Sequence, residues 1–360
     1  MPAARRLLTT GLAALAALGL AAGCSRAQES TIPAAPANTS PAAELRLGYF
    51  PNITHAPALI GVAQNYFAEE LGSGTTLTTQ TFNAGPDEVN ALLGGSLDAG
   101  FIGSSPAINA FAKSNGEAVR LIAGSTSAGA QLVTTPDITT PEQLKGKVIA
   151  TPQAGNTQDV ALKKWLKENN LEIGEGPDKV TVQNIDNPKT LDLFKGGQVA
   201  GGWLPEPWSS RLVDAGAAVL VDEKTLWPDG RFPTTVLIVR TQFLKDHPET
   251  VQALLRGEQR AIDFATANQA EAKTITNDSI KAITNSALSQ PVLDRAFTEL
   301  SFDNDPLAAT FPQLSKDSVT AGATKNETNL TGFVDVTALN TVREAAGKTP
   351  VSAAGLDRQG

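Results

Sequence analysis

Asn156 and Thr157 follow Gly155 and open an amphipathic segment, a placement suited to holding an anion. The stretch KVIATPQAGNTQDVALKKWLKENN (147–170) reads as a buried strand from Val148 to Thr151, a tight turn from Pro152 to Gly155, and a helix opening at Asn156. Asn156 is a good N-cap, Asp159 completes a capping-box variant, and Ala161, Leu162, Trp165 and Leu166 share one apolar face. Lys163, Lys164 and Lys167 sit toward the end of the helix, where they complement its dipole. Such a unit aims unpaired backbone N–H groups at the strand's carboxyl edge, a ready anion site. Taken alone it is also ordinary punctuation between a strand and a helix; recurrence is what argues for a site.

It does recur. Shifted by 102 positions, Leu47 falls on Ile149, Thr54 on Asn156, His55 on Thr157, Leu59 on Ala161 and Ile60 on Leu162. The stretch from Pro86 to Pro106 then lies over the stretch from Pro188 to Trp208, with Gly94-Gly95 on Gly196-Gly197 and Phe101 on Trp203. Each copy reads strand, capped helix, strand, helix, Gly-Gly turn, strand, loop, which is a βαβαβ unit with ligand-facing loops at the strand carboxyl ends. Two such α/β lobes facing each other make a cleft. In the first lobe, Thr54 is expected to cap the first helix, and Ser105, followed by Pro106, to cap the one after the third strand. Gln131–Thr134 and Thr234–Arg240 read as the two crossings between lobes, and the helical pattern from Gln242 to Gly347 is expected to pack back on lobe I. The organisation expected is residues 44–134 plus 240–360 for lobe I and 135–239 for lobe II.

Ahead of the lobes, Arg5-Arg6 and the apolar run from Leu7 to Gly23 have the form of a bacterial export signal over residues 1–23. Leu20-Ala21-Ala22-Gly23-Cys24 resembles a lipobox, in which the cysteine is lipidated once the leader is removed before it. Residues 24–43 then form a lipidated N-terminus and flexible tether, poor in large apolar groups and rich in Pro. The expected location is a membrane surface facing the periplasm or the exterior, with lipid as the only membrane contact. Loss of Arg5 and Arg6 takes the formal charge from −8 to −10, which argues against nucleic acid as a partner. One cysteine permits no intramolecular disulfide, so the fold rests on packing. Met1 is the only methionine and Cys24 the only cysteine, so the lobes contain no sulfur. That fits a protein made when sulfur is scarce, and equally a genome that uses little methionine.

The stretches GYFPNITHAPALIG, FIGSSPAINAF, ATPQAGNTQDVALKKWL, WLPEPWSSRLV and LWPDGRFPTTVLIV, in this order within residues 44–265, resemble the aliphatic-sulfonate, nitrate and taurine type of substrate-binding protein of ABC importers. The resemblance implies a type II periplasmic-binding-protein fold, with two α/β lobes joined by two hinge crossings and closing on a ligand. It implies a monomer that delivers a small anionic solute to an ABC permease and ATPase, and no cofactor.

Candidate ligand-binding residues on this view are Asn52, Thr54 and His55, with Ser104 and Ser105 beside them, Asn156 and Thr157 opposite, and Trp203, Glu206, Thr234 and Thr235 at the far loops. Nearly all are neutral donors near helix starts, with no Lys or Arg in those loops. An ionised sulfonate needs donors and no acceptor, which amides and hydroxyls supply. Trp203 or Trp208 could cover an organic tail. Glu206 would repel an anionic head group, so it either binds an amine on the ligand or ties the lobes together.

Enzyme readings fare worse. The broader family is similar to desulfinases, which use a cysteine nucleophile, and to thiamine-pyrimidine synthases; here the one cysteine lies in the lipobox. Two histidines and no cysteine cluster exclude the common zinc constellations. A triad of Ser104 or Ser105 with His55 and Glu206 lacks the G-x-S-x-G elbow, and no GxGxxG follows a strand. A sensor or adhesive surface protein built on the same fold is the remaining alternative.

Overall fold

The computed structural model describes residues 40–358. The leader, Cys24 and most of the tether lie outside the described residues.

ELRLGY forms β1 (Glu44–Tyr49), with Leu45 and Leu47 fully buried. A 3-10 turn (Ile53–His55) leads into α1 (Ala56–Ala63), followed by α2 (Tyr66–Leu71), β2 (Thr76–Thr81), α3 (Gly85–Leu93), β3 (Ala99–Ile102), α4 (Ser104–Lys113) and β4 (Val119–Ala128). The second half runs β5 (Ala130–Thr134), β6 (Val148–Thr151), α5 (Thr157–Glu168), β7 (Thr181–Asn184), α6 (Asn187–Lys195), β8 (Gly201–Pro205), α7 (Trp208–Asp214) and β9 (Ala218–Asp222). The chain then returns through β10 (Pro233–Arg240), α8 (Thr241–Asp246), α9 (Pro248–Ala267), α10 (Gln269–Thr284), α11 (Gln290–Thr298), β11 (Leu300–Phe302), α12 (Phe311–Thr320) and α13 (Thr337–Ala345).

Two sheets result, ordered β11-β4-β10-β3-β1-β2 and β7-β6-β8-β5-β9. The repeat is visible in their register. Leu47 pairs with Ala99 and Gly48 with Gly100 in the first; Ile149 pairs with Gly201 and Ala150 with Gly202 in the second, each 102 residues on. Helices α3 and α6 are offset by the same interval. A strand whose faces are both buried cannot slip without exposing its apolar set, so the common pattern fixes a common register. In each sheet a strand from outside the repeat runs antiparallel beside the third repeat strand, β10 against β3 and β5 against β8, with β4 and β11 beyond the first and β9 beyond the second.

Those two strands correct the expected lobe boundaries. Gln131–Thr134 lies inside β5 and belongs to the second sheet, while Thr234–Arg240 lies in β10 and belongs to the first. Neither is a crossing. The chain passes between sheets at Ala128-Gly129, both in the left-handed region (φ 63° and 77°), and again between Asp222 and Pro233. A strand of apolar and β-branched residues satisfies its backbone best within a sheet, which leaves short turns to make the passage.

The helix starts also differ from expectation. Thr54 lies in the 3-10 turn and α1 begins at Ala56; Ser104 and Ser105 are the first two residues of α4, with Gly103 at the cap. Pro106 is tolerated there because no N–H in the first turn needs an intrahelical partner. Asn156 does cap α5, its Oδ1 accepting from the Gln158 N–H. Asp159 instead accepts from the Gly155 N–H, one residue before the cap, and from Thr151, Asn184 and Lys163. Lobe I has the larger core, which includes Leu45, Leu47, Phe67, Phe101, Phe111 and Phe333; Leu132, Ile149, Leu162, Trp165, Leu166 and Trp203 form a core in lobe II. Val292, Leu293 and Ala296 of α11 and Leu339 of α13 join the lobe I core, so the C-terminal helices do pack back on that lobe.

Candidate functional site

The carboxyl edges of the two sheets meet around a small cavity of about 20 Å³. Asn52, Thr54, His55, Asn156, Thr157, Thr234 and Thr235 line it, seven of the eleven residues expected from the sequence. They come from the turn before α1, the cap and first residue of α5, and the first residues of β10. Gly103, which caps α4, and Asn187, which opens α6, complete the ring of helix starts. None of the lining residues carries a full charge. Four helix N-termini in lining positions place the positive ends of their dipoles and their unpaired N–H groups near one small volume.

His55 shows how the site is tuned. Its Nδ1 accepts from the Phe50 N–H at 3.3 Å, and the ring lies against Phe50 with centroids 4.3 Å apart. With Nδ1 an acceptor, the proton resides on Nε2, which makes this imidazole a neutral donor. Full burial lowers its pKa to about 3, so the ring stays uncharged. Thr235 Oγ1 and Asn187 Oδ1 are buried without partners among the described residues. Asn52 is fixed across the cleft: its Oδ1 accepts from Trp208 Nε1 of lobe II at 3.0 Å.

Four expected residues fall elsewhere. Trp203 is fully buried in the lobe II core, edge-on to Trp165, and its Nε1 donates to Glu223 at 2.7 Å. It cannot cover a ligand, because β8 is a central strand and this side chain points into the layer beneath α5. Glu206 is also fully buried. Its Oε1 accepts from Ser209 Oγ at 2.6 Å and from Arg295 Nη1 at 3.0 Å, and its Oε2 from the Ser210 N–H at 3.2 Å. Arg295 is on α11, so this carboxylate ties lobe II to the helices of lobe I and holds no ligand amine. Burial raises its pKa, with Ser209, Ser210 and Arg295 opposing. Ser104 is fully buried and does not line the cavity, and its Oγ has no partner among the described residues. Ser105 faces a second small cavity shared with Lys164, Glu223, Trp227 and Asp317, and its N–H donates to Thr157 Oγ1 at 3.4 Å.

Asn83, Gln158 and Asn187 line the cavity without having been singled out in the sequence. Asn83 lies two residues ahead of α3 and Asn187 opens α6, the second helix of each copy. The helix-start argument made for Thr54 and Asn156 would have found them had it been carried to the next strand-to-helix turn.

The arrangement can hold a small anion by donors alone, with nothing in the wall able to take a proton from it near neutral pH. Comparisons with known proteins bear on the fold and the family. The taurine-binding periplasmic protein of Escherichia coli (strain K12) is 32% identical over 203 residues, covering 56% of this chain and 60% of its own length. The alkanesulfonate-binding protein SsuA from Xanthomonas axonopodis pv. citri, solved with MOPS bound, superposes with a TM-score of 0.62 at 20% identity over 79% of this chain and 93% of its own. The periplasmic nitrate-binding protein NrtA from Synechocystis PCC 6803 gives 0.69 at 15% identity over 86% and 92%. These structures share the type II periplasmic-binding-protein architecture of two α/β lobes expected from the sequence. The family model described as NMT1-like matches residues 38–277, and the chain belongs to that family.

Proposed function

We propose that this protein is the extracytoplasmic solute-binding component of an ABC importer, capturing a small organic anion, with an aliphatic sulfonate as first choice, for delivery to a permease and its ATPase. The observation that carries the reading is a cavity between two lobes ringed by helix starts and by Asn, Thr and neutral His side chains, with no charged residue in its wall. A sulfonate is ionised at every physiological pH and offers only acceptors, so such a wall satisfies it without a counter-ion. Lobes with no cysteine and no methionine suit a protein needed when sulfur runs short. The binding residues on this reading are Asn52, Thr54, His55, Asn156, Thr157, Thr234 and Thr235, with Asn83 and Asn187 added. Binding rather than catalysis is proposed because the wall holds no nucleophile beside a free base: the unprotonated nitrogen of His55, Nδ1, is already taken by the Phe50 N–H. Attachment to the membrane through lipid on Cys24 belongs to the same proposal, and among the described residues no helix is long and apolar enough to cross a membrane.

The cavity's small size favours nitrate as a second reading. Calorimetry against ethanesulfonate, taurine, nitrate and bicarbonate separates them: sulfonate binding with nitrate rejected supports the first choice, and nitrate binding alone overturns it. Failure of cells lacking this protein to grow on an alkanesulfonate as sole sulfur source tests the import role. Mass spectrometry of the purified protein tests lipid on Cys24.

A further inference from the structure

A second compartment opens beside the small cavity and shares Asn52, Asn83 and Asn187 with it. It measures about 340 Å³, within the roughly 300–1,000 Å³ typical of ligand pockets. The inner cavity, at about 20 Å³, exceeds only slightly the roughly 10–15 Å³ that one water needs. An organic anion whose head fills the inner cavity must therefore send the rest of its atoms elsewhere, and the outer compartment shares three wall residues with that cavity. The outer compartment has three walls of different origin: Phe82 from lobe I, Leu191 and Trp208 from lobe II, and Ile280 and Leu288 around the end of α10. Four of these side chains are hydrocarbon only, so the walls favour an apolar segment.

One cation faces this space. Arg211, one turn along α7 from Trp208, lies with its guanidinium over the Trp208 ring, 4.7 Å from the centroid. Among the described residues it forms no ion pair and no side-chain hydrogen bond. Asp192 opens onto the same compartment, but it is exposed and makes no ion pair with Arg211. A planar fork of donors stacked on an aromatic face and left without a carboxylate is preorganised for one. Burial lowers the Arg211 pKa with no neighbouring carboxylate to oppose it.

We propose that the outer compartment is a tail subsite, and that the solute is an elongated organic anion: a sulfonate-type head in the inner cavity, an apolar linker against Leu191 and Trp208, and a second acceptor or anionic group at Arg211. This rests on the sulfonate reading above and narrows it to a class that excludes nitrate and the shortest sulfonates as best ligands. Trp208 then serves both ends. Its indole N–H orients Asn52 toward the head, and its ring face carries the arginine that receives the tail.

The test is calorimetry with methanesulfonate, a series of alkanesulfonates of two to six carbons, and ω-carboxyalkanesulfonates of the same lengths. Affinity is expected to rise at least tenfold from methanesulfonate to the best carboxyalkanesulfonate. Arg211→Gln should remove the advantage of the terminal carboxylate, and Leu191→Trp, which narrows the compartment, should reduce the advantage of chain length. Neither substitution should change methanesulfonate affinity by more than about twofold, which also shows that both variants fold. Equal affinity for methanesulfonate and every longer ligand overturns the tail subsite while leaving the sulfonate reading intact. A uniform loss for all ligands in Arg211→Gln also overturns it, because the arginine would then act on the head site or the fold. Binding of nitrate with no sulfonate bound at all overturns both.

Discussion

Trp208 of lobe II donates its indole N–H to the side-chain oxygen of Asn52 in lobe I, 3.0 Å away, and both residues are buried. With Oδ1 occupied, the amide presents N–H donors to whatever fills the cavity. Trp208→Phe removes the donor and orphans the Asn52 oxygen, a change worth about 1–3 kcal/mol. Affinity for an anion should fall about tenfold or more, since the amide can then turn its oxygen inward. Asn52→Asp is the sharper version: it places a carboxylate against the anion and should abolish binding measurable by calorimetry. Full binding by Asn52→Asp would mean that this side chain does not face the ligand.

His55 supplies a donor that does not depend on pH. Because burial lowers its pKa to about 3, the ring remains neutral from about pH 5 to 8, and affinity for a sulfonate should be flat across that range. Affinity that climbs on acidification would instead identify imidazolium as the binding form. Stability behaves differently. Between pH 3 and the ordinary value of 6.5, the folded ring holds fewer protons than the unfolded one, so stability falls as pH drops through that window. His55→Asn keeps an acceptor for the Phe50 N–H but loses Nε2–H. It should weaken anion binding by about 1.5–3 kcal/mol, the worth of a hydrogen bond to a charged group.

Gly103 of lobe I lies against Thr157 of lobe II at the cavity. A Cβ built there would meet Thr157 Oγ1 at 2.5 Å, although the backbone (φ −68°, ψ 153°) suits any residue. Gly103→Ala should therefore fold normally and hold the lobes apart, disturbing the bond from the Ser105 N–H to Thr157 Oγ1. The expected signature is an unchanged melting temperature with affinity reduced about tenfold, equivalent to about 1.4 kcal/mol. Equal losses of stability and affinity would argue that Gly103 is needed for folding instead.

The repeat was the most legible feature of the sequence, because a 102-residue offset in apolar pattern translates directly into sheet register. Asn52, Thr54, His55, Asn156 and Thr157 followed from the same logic, since a polar residue just ahead of an amphipathic helix after a strand must sit at the sheet's carboxyl edge; Thr234 and Thr235, which open β10, did not. What failed did so for identifiable reasons. Trp203 aligns with Phe101, itself a core residue, and residue type alone cannot separate a buried indole from a ligand cover. Glu206 required knowing that Arg295, 89 residues later, enters from α11. The lobe boundary missed β5 and β10 because a strand completing a neighbouring sheet has the same pattern as a linker crossing to it.

The Glu206–Arg295 pair gives a measurable tie between lobes. Arg295 Nη1 also donates to Ser210 Oγ at 2.7 Å, and Nη2 to Gln131 Oε1 at 2.6 Å, so one guanidinium from α11 satisfies three lobe II side chains. Removing one partner of a buried pair leaves an uncompensated charge, typically at a cost of about 3–5 kcal/mol. Arg295→Met should lower the melting temperature markedly, and adding Glu206→Gln should restore part of the loss. Additive losses in the double variant would mean the two residues are not coupled.

Glu223 makes the opposite kind of demand on pH from His55. Its carboxyl is fully buried in lobe II and accepts from Trp203 Nε1, and burial raises its pKa from 4.5 to about 8 against the Trp203 and Trp227 indoles. Below pH 4.5 both folded and unfolded chains hold the proton, so the group costs nothing. As pH rises from 4.5 toward 8 the unfolded chain gives it up while the folded chain keeps it, and stability falls across that window. Above about 8 the folded group ionises too, and the penalty levels off. Glu223→Gln retains an oxygen for the Trp203 N–H and has no proton to lose. Its melting temperature should match the wild type near pH 4.5 and exceed it increasingly up to pH 8. Parallel melting curves for the two proteins across that range would place the Glu223 pKa near its ordinary value and end this account.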